Sequence, residues 1–243
     1  MTRSKFAFLF TSAALALGTA TLLASAATAP RMQGVGGDVQ LSIATIHWEY
    51  NATKNDLGVH VSLDGEDWKQ LKIKNPDGKV IFNVKGGGPY KQLGMTELFF
   101  EGAEPSLDEF PLQDLLDLFP EGEYEFEGKT VQNEDIEGTS QFSHAIPDGP
   151  HVSVAVGANN SIRISWTAVT APPPGFPREP IHVVAYQVLV PETLDIIVPA
   201  SVLSLTLPPE YVASLSPGVY PFEVLAIDQS GNQTTNDEGS FVK

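Results

Sequence analysis

The sequence predicts an all-β protein made of two β-sandwich domains, and three observations carry that expectation. Short segments alternate apolar and polar residues with a period of two, as Ser161-Ile162-Arg163-Ile164-Ser165-Trp166 does. Clusters of Pro, Gly, Asn and Asp punctuate those segments. Leu215-Ser216-Pro217-Gly218-Val219-Tyr220-Pro221-Phe222 then joins an apolar residue, a Pro-Gly bend and a Tyr that opens a strand, which is the pattern of a tyrosine corner.

Residues Met1 to Ala26 read as a secretory signal. Arg3 and Lys5 form a basic start, Phe6 to Leu23 are apolar or small, and Ala24-Ser25-Ala26 offers a small-x-small cleavage site. The alternative is a membrane anchor, since about 18 apolar residues just reach across a bilayer. The Thr, Ser, Gly and Ala in the run favour the signal. There is no second hydrophobic span, so no membrane span is expected after cleavage, and the expected location is secreted, periplasmic or at the cell surface. The chain has no Cys, which excludes a disulfide framework, thiolate metal sites and Cys nucleophiles. The formal charge is −16, and removing the leader takes two basic residues and no acid, leaving about −18. With no Lys/Arg cluster, neither nucleic acid nor an anionic membrane is an expected partner.

The N-terminal domain is expected over residues 37–146. Val39 to Tyr50 reads as one long strand or two. Gly58-Val59-His60-Val61-Ser62-Leu63 alternates, Asp64-Gly65 is expected to turn it, and Trp68 to Ile73 to run back as a hairpin. In that alternation His60 lies opposite Val59 and Val61 and is expected to face solvent. Asn75-Pro76-Asp77-Gly78 is a second turn before Lys79 to Val84, and Thr96 to Phe100 is a further strand. Lys85-Gly86-Gly87-Gly88-Pro89-Tyr90 reads as a mobile loop, lacking the Lys-Ser/Thr of a phosphate loop. Ser106-Leu107-Asp108-Glu109 has the form of a capping box, so a short helix is expected within Leu107 to Phe119, with Pro111 interrupting it or starting a second turn. Phe119-Pro120-Glu121-Gly122-Glu123-Tyr124-Glu125-Phe126 then repeats the bend-and-Tyr pattern. Glu123, Glu125 and Glu127 should share one exposed face and deter edge pairing with other chains.

Ile146-Pro147-Asp148-Gly149-Pro150 marks the expected boundary, and the second domain spans 147–243. Its expected strands are Ser161 to Trp166, Val183 to Val190, Leu203 to Leu207, the Tyr220 strand, and Gly239 to Val242. Pro208 to Ser214 is expected to hold one helical turn. Trp166 on the second strand, Tyr186 on the third, Leu205-Thr206-Leu207 before the corner and Leu215-x-Pro217-Gly218-x-Tyr220-x-Phe222-x-Val224-x-Ala226 together resemble a fibronectin type III domain. That resemblance implies an immunoglobulin-like sandwich and no particular ligand. There is no Arg-Gly-Asp tripeptide, and the N-terminal half resembles no family closely.

No residue pattern points to catalysis. The five His are scattered, no Gly-x-Ser-x-Gly elbow occurs, and the three Glu on one strand face do not flank a cleft. The expected function is a non-enzymatic binding, adhesion or spacer module acting on a protein or cell-surface partner, without a cofactor. Its binding loops are expected at Thr170 to Pro180 and Asp228 to Asn232, at one end of the second domain. The alternative is a Ca2+-binding or carbohydrate-binding accessory protein. Asn133-x-Asp135-x-Glu137 starts like an EF-hand loop but reaches His144 at the twelfth position, so only a looser Ca2+ site is open, from Asn133, Asp135 and Glu137 or from Asp56, Asp64 and Asp67. For sugar stacking, Trp68 is the best exposed candidate, whereas Trp166 is expected in the core.

Overall fold

The computed structural model describes residues 38–243. The signal and its cleavage sites lie outside the described residues. No helix among the described residues is long and apolar enough to cross a membrane.

In the N-terminal half, β1 (Val39–Gln40) and β2 (Ile43–Asn51) lead into β3 (Asp56–Lys74), a strand of 19 residues. Then come β4 (Val80–Lys85), the helix α1 (Pro89–Leu93), β5 (Met95–Glu101), the helix α2 (Leu112–Leu118), β6 (Gly122–Thr130) and β7 (Asp135–Phe142). Asp64-Gly65 does not reverse the chain. Instead β3 bends there and carries different partners on its two limbs, all within one sheet. Its first limb pairs with β2 and β5, and its second with β6 and β4. The pairing slips between Asp64 and Trp68 against β5, and between Trp68 and Gln70 against β6. Such bulges change which face a side chain occupies. Leu57, Val59, Val61 and Leu63 point inward from one limb, and Trp68, Leu71 and Ile73 from the other, into one core with Trp48, Tyr124, Phe126 and Phe142.

The Asn75 turn forms as expected, with Gly78 at φ 74 and the Asn75 carbonyl accepting from Gly78 N at 2.8 Å. The glycine-rich segment is shorter as a loop than expected, because Pro89 starts α1. The capping box does not start a helix: Ser106 Oγ accepts from Asp108 N at 3.3 Å, the chain makes a single turn, and Pro111 stands at the N-cap of α2. Glu123 and Glu125 point outward, as expected, but β6 is no edge, since β3 and β7 flank it. These glutamates work across strands: Lys72 Nζ reaches Glu127 at 2.6 Å, and Lys74 pairs with Glu125 and Glu127.

The C-terminal half is a fibronectin type III-like sandwich. Its strands are β8 (Val152–Val156), β9 (Ile162–Trp166), β10 (Val183–Val190), β11 (Leu194–Pro199), β12 (Ser204–Leu207), β13 (Val219–Asp228) and β14 (Gln233–Val242), with the helix α3 (Pro209–Ser214) before the corner. Sheet β12-β9-β8 faces the run β14-β13-β10-β11. Between them Ile162, Ile164, Trp166, Tyr186, Val188, Phe222, Val224 and Ala226 are buried. Both corners form: Tyr220 donates to the Ser216 carbonyl at 2.9 Å, and Tyr124 to the Pro120 carbonyl at 3.1 Å. Gly239 is required where it stands, because a Cβ there would lie 2.1 Å from the Phe222 ring. One β-ladder joins the halves, with β14 parallel to β2 in the register Gln233↔Glu49, Thr234↔Tyr50 and Thr235↔Asn51.

Candidate functional site

An apolar cleft of about 540 Å³ opens in the N-terminal half between α2 and the first limb of β3. Leu115 and Leu116 anchor α2 in the core, which leaves Leu118, 60% exposed, at the rim. Trp48 forms part of the wall, with Phe119 edge-on at 5.6 Å, and its indole N–H has no hydrogen-bond partner among the described residues. The segment from Gly102 to Pro105 forms the other lip, held by backbone bonds from Gly102 N to the Val59 carbonyl at 2.8 Å and from Leu57 N to the Pro105 carbonyl at 3.4 Å. This brings Glu104 to the mouth.

Behind Glu104, strand alternation collects polar groups on the face of β2 and β3 opposite the core. His47 and His60 are cross-strand partners, and Glu49 lies opposite Gly58. Gly58 is a consequence of close approach: a Cβ there would lie 2.4 Å from Glu104 Cγ. Through that gap Glu104 Oε1 comes within 3.0 Å of His60 Nε2, while Glu49 Oε2 lies 3.7 Å from His60 Nδ1. One atom from each of Glu49, His60 and Glu104 lies within 4.8 Å of the others. Burial works to lower the His60 pKa, but the bond to Glu104 and the charges of Glu49, Glu101 and Glu104 outweigh it and hold it above the usual value. Burial, reinforced by Glu104 and opposed by His60, raises Glu49. Burial and then His60 push His47 down to about 3, so its ring is neutral. Gln233 suits this arrangement: its amide N–H groups reach the His47 Nε2 lone pair at 3.3 Å and Glu49 Oε2 at 2.5 Å.

His60 is therefore 5% exposed, against the solvent-facing position expected of it. The reason is tertiary: Glu104 crosses over Gly58, and β14 docks beside β2. Trp68 is fully buried, which removes it as a sugar-stacking platform, because the bulges in β3 turn it into the core. Trp166 is buried as expected.

The acidic candidates fall in separate places. Asp135 and Glu137 lie on one face of β7, where Lys129 pairs with Asp135 at 2.6 Å and Glu137 stands opposite Glu127. Asn133 occupies the preceding turn at φ 72 and accepts from Lys69 Nζ. Asp56 and Asp64 stand eight residues apart on an extended limb, about 26 Å at the usual rise. Asp64 accepts from Ser42 Oγ at 3.0 Å, and Asp67 lies beyond the bend against Gly94.

The loops Thr170 to Pro180 and Asp228 to Asn232 do lie at one end of the second sandwich, since Val183 pairs with Asp228. That end is occupied by the first half. Phe176 packs on Tyr50 at 4.8 Å. Asn232, fully buried, accepts from Trp48 N at 2.9 Å and donates to the carbonyls of Ser143 at 2.8 Å and Ala145 at 3.1 Å.

No family model matches the chain, and no curated protein matches it. Among solved structures it is similar to the spore cortex lytic enzyme SleM of Clostridium perfringens, at 13% identity and TM-score 0.29 over 40% of this chain and 27% of that one. It is similar to Tp47, the 47-kilodalton lipoprotein of Treponema pallidum, at 9% identity and TM-score 0.35 over 87% of this chain and 52% of that one. Fibronectin(III)-like modules of Clostridium thermocellum CbhA align at 10% identity and TM-score 0.26 over 80% of this chain and 93% of theirs. The chain thus spans about a quarter and about half of the first two proteins. TM-scores of this size carry no weight for activity, and the sandwich assignment rests on the strand order and register above.

Proposed function

We propose that the chain is an exported, non-enzymatic protein-binding module of two sandwiches, divided near Pro147 and locked together through β2 and β14. The loops expected to bind a partner are spent on that joint, which leaves the cleft beside α2 as the working surface. One observation carries this reading: an apolar cavity within the usual 300–1,000 Å³ range of ligand sites, with an exposed leucine at its lip. Its occupant is a large apolar side chain of a partner protein outside the cytoplasm, flanked by basic residues that suit the acidic surface. The leader at residues 1–26 supports export.

The test places a photoreactive residue at Ala103, on the lip, and irradiates the mature protein on the cells that make it. A discrete adduct with a surface protein is expected, lost in Leu118→Asp and kept in Val156→Asp, which lies in the other half. An adduct that survives Leu118→Asp, or no adduct at all, overturns the reading.

A further inference from the structure

We propose that Glu49, His60 and Glu104 hold one divalent transition-metal ion, of the Zn2+ class, at the mouth of the cleft. This goes beyond the binding role above and does not depend on it. The donor set is mixed, one imidazole nitrogen with two carboxylates, and its atoms gather within 4.8 Å of one another. A tetrahedral ion with bonds of about 2.1 Å spans donors roughly 3.4 Å apart. Glu104 meets His60 at Nε2 and Glu49 meets it at Nδ1, so an ion on Nε2 keeps Glu104 and needs the Glu49 carboxylate to swing to that edge of the ring. The imidazole disfavours Ca2+, which takes six to eight oxygens, and the chain has no thiolate to offer a softer ion.

Three features set this cluster apart from a chance surface group. Its imidazole is buried on a sheet face rather than carried on a loop. Glu104 reaches it only because position 58 has no side chain and the Gly102 to Pro105 lip is tied to β3 by its backbone. Glu49 is oriented from behind by Gln233, whose amide also bonds the neutral His47, an outer layer of the kind that fixes metal ligands. Glu101, cross-strand to His60, adds a third carboxylate. Three protein donors leave a coordination position for water or for a donor atom of a partner.

The test is calorimetric titration of the chelator-treated mature protein with Zn2+, with Co2+ absorption as a second readout. One equivalent per chain is expected, with visible Co2+ bands. Glu104→Gln, at an exposed position whose fold is checked by circular dichroism, is expected to weaken Zn2+ at least tenfold and bleach the bands, and Glu49→Gln to do the same. Asp135→Asn should change neither. Binding by the parent protein no tighter than by Glu104→Gln, or binding lost in Asp135→Asn instead, overturns the assignment. The cross-linking at Ala103 reads the cleft alone, so the two proposals fail separately.

Discussion

Tyr124 and Tyr220 make the same hydrogen bond, to the carbonyl four residues earlier, yet they sit in different surroundings. Tyr124 is fully buried, with its ring edge-on to Phe142 at 5.2 Å. Tyr220 is half-buried, stacked on Phe241 at 5.5 Å, and its hydroxyl bonds an exposed carbonyl. The halves differ in the same sense. The first wraps a long bent strand around a dense aromatic core, while the second is a regular three-on-four sandwich whose corner stays near water. A shared local motif therefore fixes a local hydrogen bond, and the surroundings decide how much that bond contributes.

The largest expected effect comes from untying the halves. Asn232→Ala removes three hydrogen bonds, two of them buried, and leaves the Trp48 N–H and the Ala145 carbonyl unpaired, a loss of about 3 kcal/mol. Calorimetry should show one transition for the parent protein and two for this variant. A single transition at nearly the same temperature would mean that the halves are held by something else. Next come the corners. Tyr124→Phe should cost about 1–2 kcal/mol in urea unfolding and Tyr220→Phe less than about 1, because water replaces the lost partner at the exposed corner. Equal costs would erase the contrast.

The smallest effects separate the halves by sign. Hydrogen bonds from Lys72 and Lys74 hold Glu127 below the ordinary carboxyl value, so its ionised form stabilises the fold above about pH 4.5, and that contribution is lost as pH falls through the native value. Burial, then Asp237, raise Glu223. Its native state prefers the proton, so the fold is penalised once pH rises past the native value and unpenalised well below 4.5. At pH 7 Glu127→Gln should lower Tm and Glu223→Gln should raise it, with both differences fading in acid. Shifts of the same sign would refute the assignment.

Much of the second half could be read from the chain. Val183 to Val190 is a strand with the bounds its alternation gives, and the Pro-Gly bend before Tyr220 specifies its own hydrogen bond. In the first half, alternation was readable up to Leu63 and misleading after it, because Asp64-Gly65 serves equally for a hairpin turn and for a bend within one strand. Only the pairing of β3 with four neighbours decides between them, and that pairing is non-local. The Glu49–His60–Glu104 cluster was missed for the same reason, since its members come from two strands and a lip. A partial signal existed: His47, Glu49, Gly58 and His60 share one parity once β2 and β3 are paired, and a glycine among them marks a close approach.

The parallel pairing of β2 with β14 has a kinetic consequence. Trp48 and Asn232 stand 184 positions apart along the polymer, and the ladder beside them cannot close until nearly everything between has been synthesised. Contacts so distant in sequence slow the final collapse. During translation the β2 edge therefore stays open until β14, almost the last segment made, can pair with it.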